Sequence, residues 1–138
     1  MNLYLDASVI LRRLLGQAGA VPVDDSYSMV VTSSLSEVEC LRTLDRVRLD
    51  GRMDERRIAG LREEVFKQLA GMAIVDVTPA LLRRASHPLP TALGTLDAIH
   101  LATAFLWLER DEGAVTLATH DSALARAART SGLAVIGT

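Results

Sequence analysis

Short apolar runs alternate with helix-patterned stretches from one end of this chain to the other, and few folds accept that alternation. Residues 2–5 (NLYL), 29–32 (MVVT), 73–77 (AIVDV), 115–118 (VTLA) and 133–136 (LAVI) read as strands. Between them, 7–16, 34–49, 54–70, 79–86, 95–110 and 122–131 carry helical patterns. The pair 34–49 and 54–70 is broken at Asp50-Gly51, 17–28 reads as a loop, and 87–93 (HPLPTAL) as a proline-bearing turn. Strands that alternate with helices imply right-handed crossovers and a parallel sheet covered on both faces. The expectation is an α/β fold with a central parallel sheet of about five strands flanked by helices. With 138 residues, and no repeat or linker, the whole chain, 1–138, is expected to form a single domain.

Composition narrows the function. Hydrophobic residues make up 49% and charged residues 23%, which is globular rather than disordered. No apolar run reaches the length of a membrane span, and Asp6 interrupts the apolar opening where a secretory leader would continue. The lone Cys40 has no partner for an internal disulfide, so a reducing, cytoplasmic setting is expected. A net charge of −2 argues against coating nucleic acid by bulk charge, but not against a nuclease whose metal ions bring positive charge to the site. One tryptophan, two tyrosines and two phenylalanines are too few for a platform of stacked bases.

Four acids stand where strands hand over to helices or in a helix's opening turns: Asp6, Glu39, Asp97 and Asp121. A parallel sheet gathers such points in the crevice outside the carboxyl ends of its strands. Each has a plain structural reading. Asp6 and Asp121 suit helix N-caps, a role worth about 1 kcal/mol. Asp97 falls in the first turn of a helix for which Thr95 is the expected cap, where the helix dipole favours an anion. Glu39 can pair with Arg42 on an exposed face. At 100° per residue, Glu37 falls nearer than Glu39 to the apolar stripe of Cys40, Leu41, Leu44 and Val47, so periodicity leaves the two glutamates open. It is the joint placement that points to chemistry, because clustered carboxylates repel one another and a hard divalent cation relieves that repulsion.

These segments resemble the PIN-domain ribonucleases, and among them the VapC toxins of bacterial toxin–antitoxin pairs. The resemblance runs through the first strand and Asp6-Ala7-Ser8, Thr32-Ser33-Ser34-Leu35-Ser36-Glu37-Val38-Glu39, Asp97-Ala98-Ile99-His100-Leu101-Ala102-Thr103-Ala104, and Ala118-Thr119-His120-Asp121. It covers essentially the whole chain. What it implies is a PIN-like domain whose catalytic and metal-binding quartet is Asp6, Glu39, Asp97 and Asp121. Ser8, Thr119 and Glu37 would be supporting groups, Glu37 standing where the family is usually apolar. The implied activity is hydrolysis of RNA phosphodiester bonds with Mg²⁺ or Mn²⁺. The implied partners are a cognate VapB-like antitoxin that blocks the site and a second copy of the chain, while the scarcity of stacking aromatics points to a structured RNA substrate read by shape.

Residues 42–67 hold eight basic and six acidic residues. Arg42 and Arg46 are candidate RNA contacts, set against the reading of the whole segment as a salt-bridged exposed hairpin. His100, one turn after Asp97, reads as a hydrogen-bonded core histidine before a ligand. A receiver-like signalling domain is the main rival from another class, with Asp76 near a strand end. It needs a lysine near a late strand end, whereas the only lysine, Lys67, falls within a helix. A catalytically inactive PIN-fold interaction module is the other alternative.

Overall fold

The computed structural model describes residues 1–110 and 113–138. Five parallel strands form one sheet in the order β3-β2-β1-β4-β5: β1 (Asn2–Leu5), β2 (Met29–Ser33), β3 (Ala73–Val75), β4 (Val115–Ala118) and β5 (Ala134–Ile136). Six helices connect them: α1 (Ala7–Leu14), α2 (Leu35–Leu49), α3 (Glu55–Ala70), α4 (Pro79–Ala85), α5 (Thr95–Arg110) and α6 (Ser122–Thr130). The strand order sets the sheet apart from the 2-1-3-4-5 arrangement of flavodoxin-like and receiver-type folds. Among the described residues, no helix is long and apolar enough to cross a membrane.

Alternation along β1 divides the core. Leu3 and Leu5 face one layer, where Val9, Ile10 and Leu14 of α1 meet Cys40 and Leu44 of α2 and Val65 and Leu69 of α3. Tyr4 faces the other, where Val31 and Leu117 meet Leu101 and Ala104 of α5 and Leu124, Ala127 and Ala128 of α6. Strands covered on both faces are apolar at successive positions, which is why NLYL and VTLA are buried throughout.

The chain runs from β1 outward through β2 to β3, then returns to lay β4 on the other side of β1 and β5 beyond it. The switch point therefore lies between β1 and β4, and a crevice opens there outside their carboxyl ends.

Two elements end two residues earlier than the sequence reading, and one expected cap is not a cap. Strand β3 stops at Val75, because the Ser34 backbone N–H takes the Val75 carbonyl and the Ser34 hydroxyl accepts the Val77 N–H. Helix α1 stops at Leu14, followed by a turn through Gly16 at φ 62°. Thr95 lies inside α5 rather than capping it, since the Ala98 N–H already bonds to the Gly94 carbonyl.

Candidate active site

The crevice at the switch point is a cleft of about 520 Å³. Its walls bring together Asp6, Glu39, Asp97 and Asp121, with Ser8, Arg42, Arg46 and His100. Glu37 is not among them. It is exposed, and lines a separate depression with Ser33, Ser34, Leu69 and Ile74.

Asp6 is 3% exposed and held at three points. Its Oδ1 accepts the Ser8 hydroxyl at 2.6 Å and the Val9 N–H at 3.2 Å, the latter capping α1. Its Oδ2 accepts the Thr119 hydroxyl at 2.5 Å. Both hydroxyls are themselves fixed from the β4 side: Ser8 Oγ accepts the His120 N–H at 2.9 Å and Thr119 Oγ1 accepts the Asp121 N–H at 3.0 Å. Asp121 caps α6 by accepting the Leu124 N–H at 2.9 Å. Asp6 and Asp121 therefore fill the cap role and face the cleft as well, and Ser8 and Thr119 join the two strand ends into one rigid edge.

The segment after β5 backs this edge. Gly137, at φ 101°, gives its carbonyl to His120 Nδ1, and a Cβ there would run into the Thr119 carbonyl oxygen. Gly137→Ala is expected to lower stability by about 2–4 kcal/mol, from backbone strain and a displaced Thr119. Gly132, at φ 93°, has no atom within 4 Å of where a Cβ would sit. Gly132→Ala should lose only the backbone part, about 1–2 kcal/mol. Equal losses in urea unfolding would mean that the contact with Thr119 is not the cause.

Asp97 stands half-buried in the first turn of α5. Its carboxyl is pushed up to about 6, first by burial, then by the charges of Asp121, Asp6 and Glu39. A carboxyl that holds its proton longer folded than unfolded costs stability as pH rises from about 4 to 6, and the cost persists above that. Asp97→Asn removes it. In EDTA at pH 7.5 the variant should be more stable than the unaltered protein by about 1 kcal/mol, a figure reduced for partial exposure, and the gap should close by pH 4. A variant less stable at pH 7.5 would contradict this account of the site's charge.

Glu39, on α2, bonds through Oε1 to His100 Nε2 at 2.6 Å. Arg42 does not pair with it, but with Asp45 at 3.1 Å. Asp45 also takes Arg48 at 2.9 Å, and Asp50 takes Arg52 at 3.1 Å, so part of the basic segment is salt-bridged. The contact between Glu39 and His100 was not foreseen from the sequence. Its only trace there is a polar residue one turn after Asp97 in an otherwise apolar helix.

The donor set suits a hard cation: four carboxylates, from four helices or their caps, whose mutual repulsion shows in the raised Asp97. As placed, the groups stand apart, and among the described residues no three acid, histidine or cysteine side chains are grouped closely enough to hold one ion.

A parallel α/β fold with an acidic crevice at its switch point defines the class of this molecule. The family model for the PIN domain matches residues 3–130, and the chain belongs to the PIN-domain family. It is 36% identical over 141 residues to ribonuclease VapC46 of Mycobacterium tuberculosis (strain ATCC 25618 / H37Rv), across 97% of this chain and 95% of that one. Its fold is similar to VapBC2 from Rickettsia felis, solved bound to a DNA fragment from their promoter, with TM-score 0.61, 14% identity and 99% and 98% of the two chains covered. It is also similar to FitAcB from Neisseria gonorrhoeae, with TM-score 0.60, 18% identity and 97% and 96% covered.

Proposed function

We propose that this chain is the ribonuclease toxin of a toxin–antitoxin pair and hydrolyses RNA phosphodiester bonds at the four-carboxylate cleft with the help of Mg²⁺ or Mn²⁺. One observation carries the reading: Asp6, Glu39, Asp97 and Asp121, scattered over the sequence, line one cleft at the switch point with Arg42 and Arg46 on the same walls. The 36% identity with a VapC ribonuclease over nearly the full length supports it.

In this mechanism Asp6 is the fixed point. Two hydroxyls and a backbone N–H hold it in one orientation, so it presents its remaining lone pairs at a constant place. Asp121 stands beside it across the β1–β4 edge, while Asp97 and Glu39 complete the ring from α5 and α2. A divalent ion held by these oxygens would offset the phosphate's charge, lower the pKa of the attacking water and steady the leaving oxygen. Arg42 and Arg46 receive flanking phosphates, which makes binding weaken steeply with salt. Water rather than a side chain attacks. The Cys40 thiol is fully buried and pushed up to about 12, and the Ser8 hydroxyl is committed to Asp6.

Partners follow from the same surface. Val38 and Leu96, both about half exposed, flank the acids as apolar rim. A VapB-like antitoxin would cover that rim and place a cation among the carboxylates. The homodimer and the cytoplasmic setting remain part of the proposal. Structured RNA, recognised by shape, is the substrate class that suits a cleft poor in stacking aromatics.

The test is incubation of purified protein with total cellular RNA in Mg²⁺, Mn²⁺ or EDTA. Discrete fragments that form only with metal are the expected result. If the protein binds Mn²⁺ in calorimetry yet cuts no RNA once freed of any antitoxin, the nuclease assignment fails. If it also binds no metal, the inactive interaction module takes its place.

A further inference from the structure

His100 is the buried polar group that the cleft's chemistry leaves unexplained. It is 1% exposed, on the face of α5 that packs against the sheet, yet both ring nitrogens are engaged. Nδ1 meets the Tyr4 hydroxyl at 2.7 Å and Nε2 meets Glu39 Oε1 at 2.6 Å. Tyr4 is fully buried in the middle of β1, its ring edge-on to the imidazole at 5.9 Å between centroids. A chain of three polar side chains thus runs from the sheet's centre to the cleft, through a layer otherwise filled by Leu101, Ala104 and Leu117. Buried polar atoms are costly unless satisfied, and here each satisfies the next.

The direction of the chain follows from its donors. Burial keeps the Tyr4 phenol protonated, and a carboxylate oxygen can only accept, so the Nε2 that lies 2.6 Å from Glu39 Oε1 carries the ring's proton. The phenol's one proton is then free to go to His100 Nδ1. A neutral imidazole that accepts at Nδ1 carries its own proton on Nε2, which faces Glu39. Glu39 stands on α2 between exposed Val38 and buried Cys40.

We propose that His100, set in its Nε2–H form by Tyr4, is a positioning residue that holds Glu39 in the cleft. One Glu39 oxygen is committed to His100 and the other is left for the site. This rests on the ribonuclease reading for its consequence, but not for its geometry. It also says why Glu39, and not Glu37 two residues earlier, faces the cleft.

Four substitutions and several independent readouts test it. Nitrogen-15 NMR of the imidazole ring should show the Nε2–H form in the unaltered protein and a mixture in Tyr4→Phe. A ring protonated on Nδ1 overturns the proposal whether or not RNA is cut. The second readout compares His100→Gln, whose amide nitrogen reaches the Nε2 position, with His100→Asn, whose amide reaches only the Nδ1 position. With RNA as substrate, Asn should lower kcat about 10–100-fold with little change in KM, and Gln should restore most of it. The same ordering should appear in Mn²⁺ affinity by calorimetry. In a Glu39→Gln background, His100→Asn should add little further loss. An undiminished loss in that background would make His100 a packing residue only. If the unaltered protein cuts no RNA, the ribonuclease reading fails, while the ring NMR and the cycle of His100 and Glu39 variants in thermal unfolding still decide the positioning role.

Discussion

Asp6→Asn is expected to give a folded protein that has lost at least about 10³-fold in RNA cleavage, well beyond the 10–100-fold usual for changes outside the ligand set. The shape is kept: the amide oxygen can still accept the Val9 N–H that caps α1, and the Ser8 hydroxyl. What changes lies on the β4 side. The amide would present N–H groups to Thr119, so its hydroxyl must turn from donor to acceptor, and its oxygen already accepts the Asp121 N–H at 3.0 Å. Bonds to a charged group are worth about 1.5–3 kcal/mol, which bounds the stability loss and leaves the fold intact. Circular dichroism melts and gel assays on the same sample separate the two effects. Cleavage within about tenfold of the unaltered protein would remove Asp6 from the site.

Glu39→Gln and Glu37→Gln should differ by a factor that no shared structural effect can supply. Two residues apart on a helix, the side chains leave the axis about 200° apart, so α2 cannot send both into one cleft. Glu39 lines the acidic cleft and bonds to His100; Glu37 is exposed over Leu69 and Ile74. Neutralising Glu39 is expected to cost about 100-fold in kcat/KM, and neutralising Glu37 less than about twofold. Both changes keep side-chain length and helix propensity, so unfolding midpoints should move little. The reverse order in activity would overturn the assignment of Glu39 and move the site's fourth carboxylate to the other face of α2.

The fold was legible because parallel strands buried on both faces leave unbroken apolar runs, as in NLYL and VTLA. The ends of β3 and α1 were not, since they are set by Ser34 reaching across to Val75 and Val77 and by a turn at Gly16. At the site, Asp6 and Asp121 could be placed from sequence because a strand end fixes where a residue emerges. Periodicity could not choose the glutamate, and only the family resemblance named Glu39. An apolar stripe tells which side of α2 packs on its neighbours, and the cleft lies on neither the packed side nor the open one: Val38, exposed by half, and Glu39 both border it. Arg42 was set against Glu39 by spacing alone, but Asp45 on the same helix and His100, 61 residues away, took the two partners. Contacts between distant segments have no periodic trace.

The bond from Thr119 to Asp6 spans 113 residues of sequence, and the β1–β4 pairing that carries it joins the beginning of the chain to its last quarter. Closing so long a loop is entropically late and slow compared with forming any helix or the β1–β2 pair. A nascent chain that has emerged only as far as α5 lacks one of its four carboxylates and the hydroxyl that steadies another. For a chain proposed to cut RNA, the cleft is therefore complete only once β4 has paired with β1.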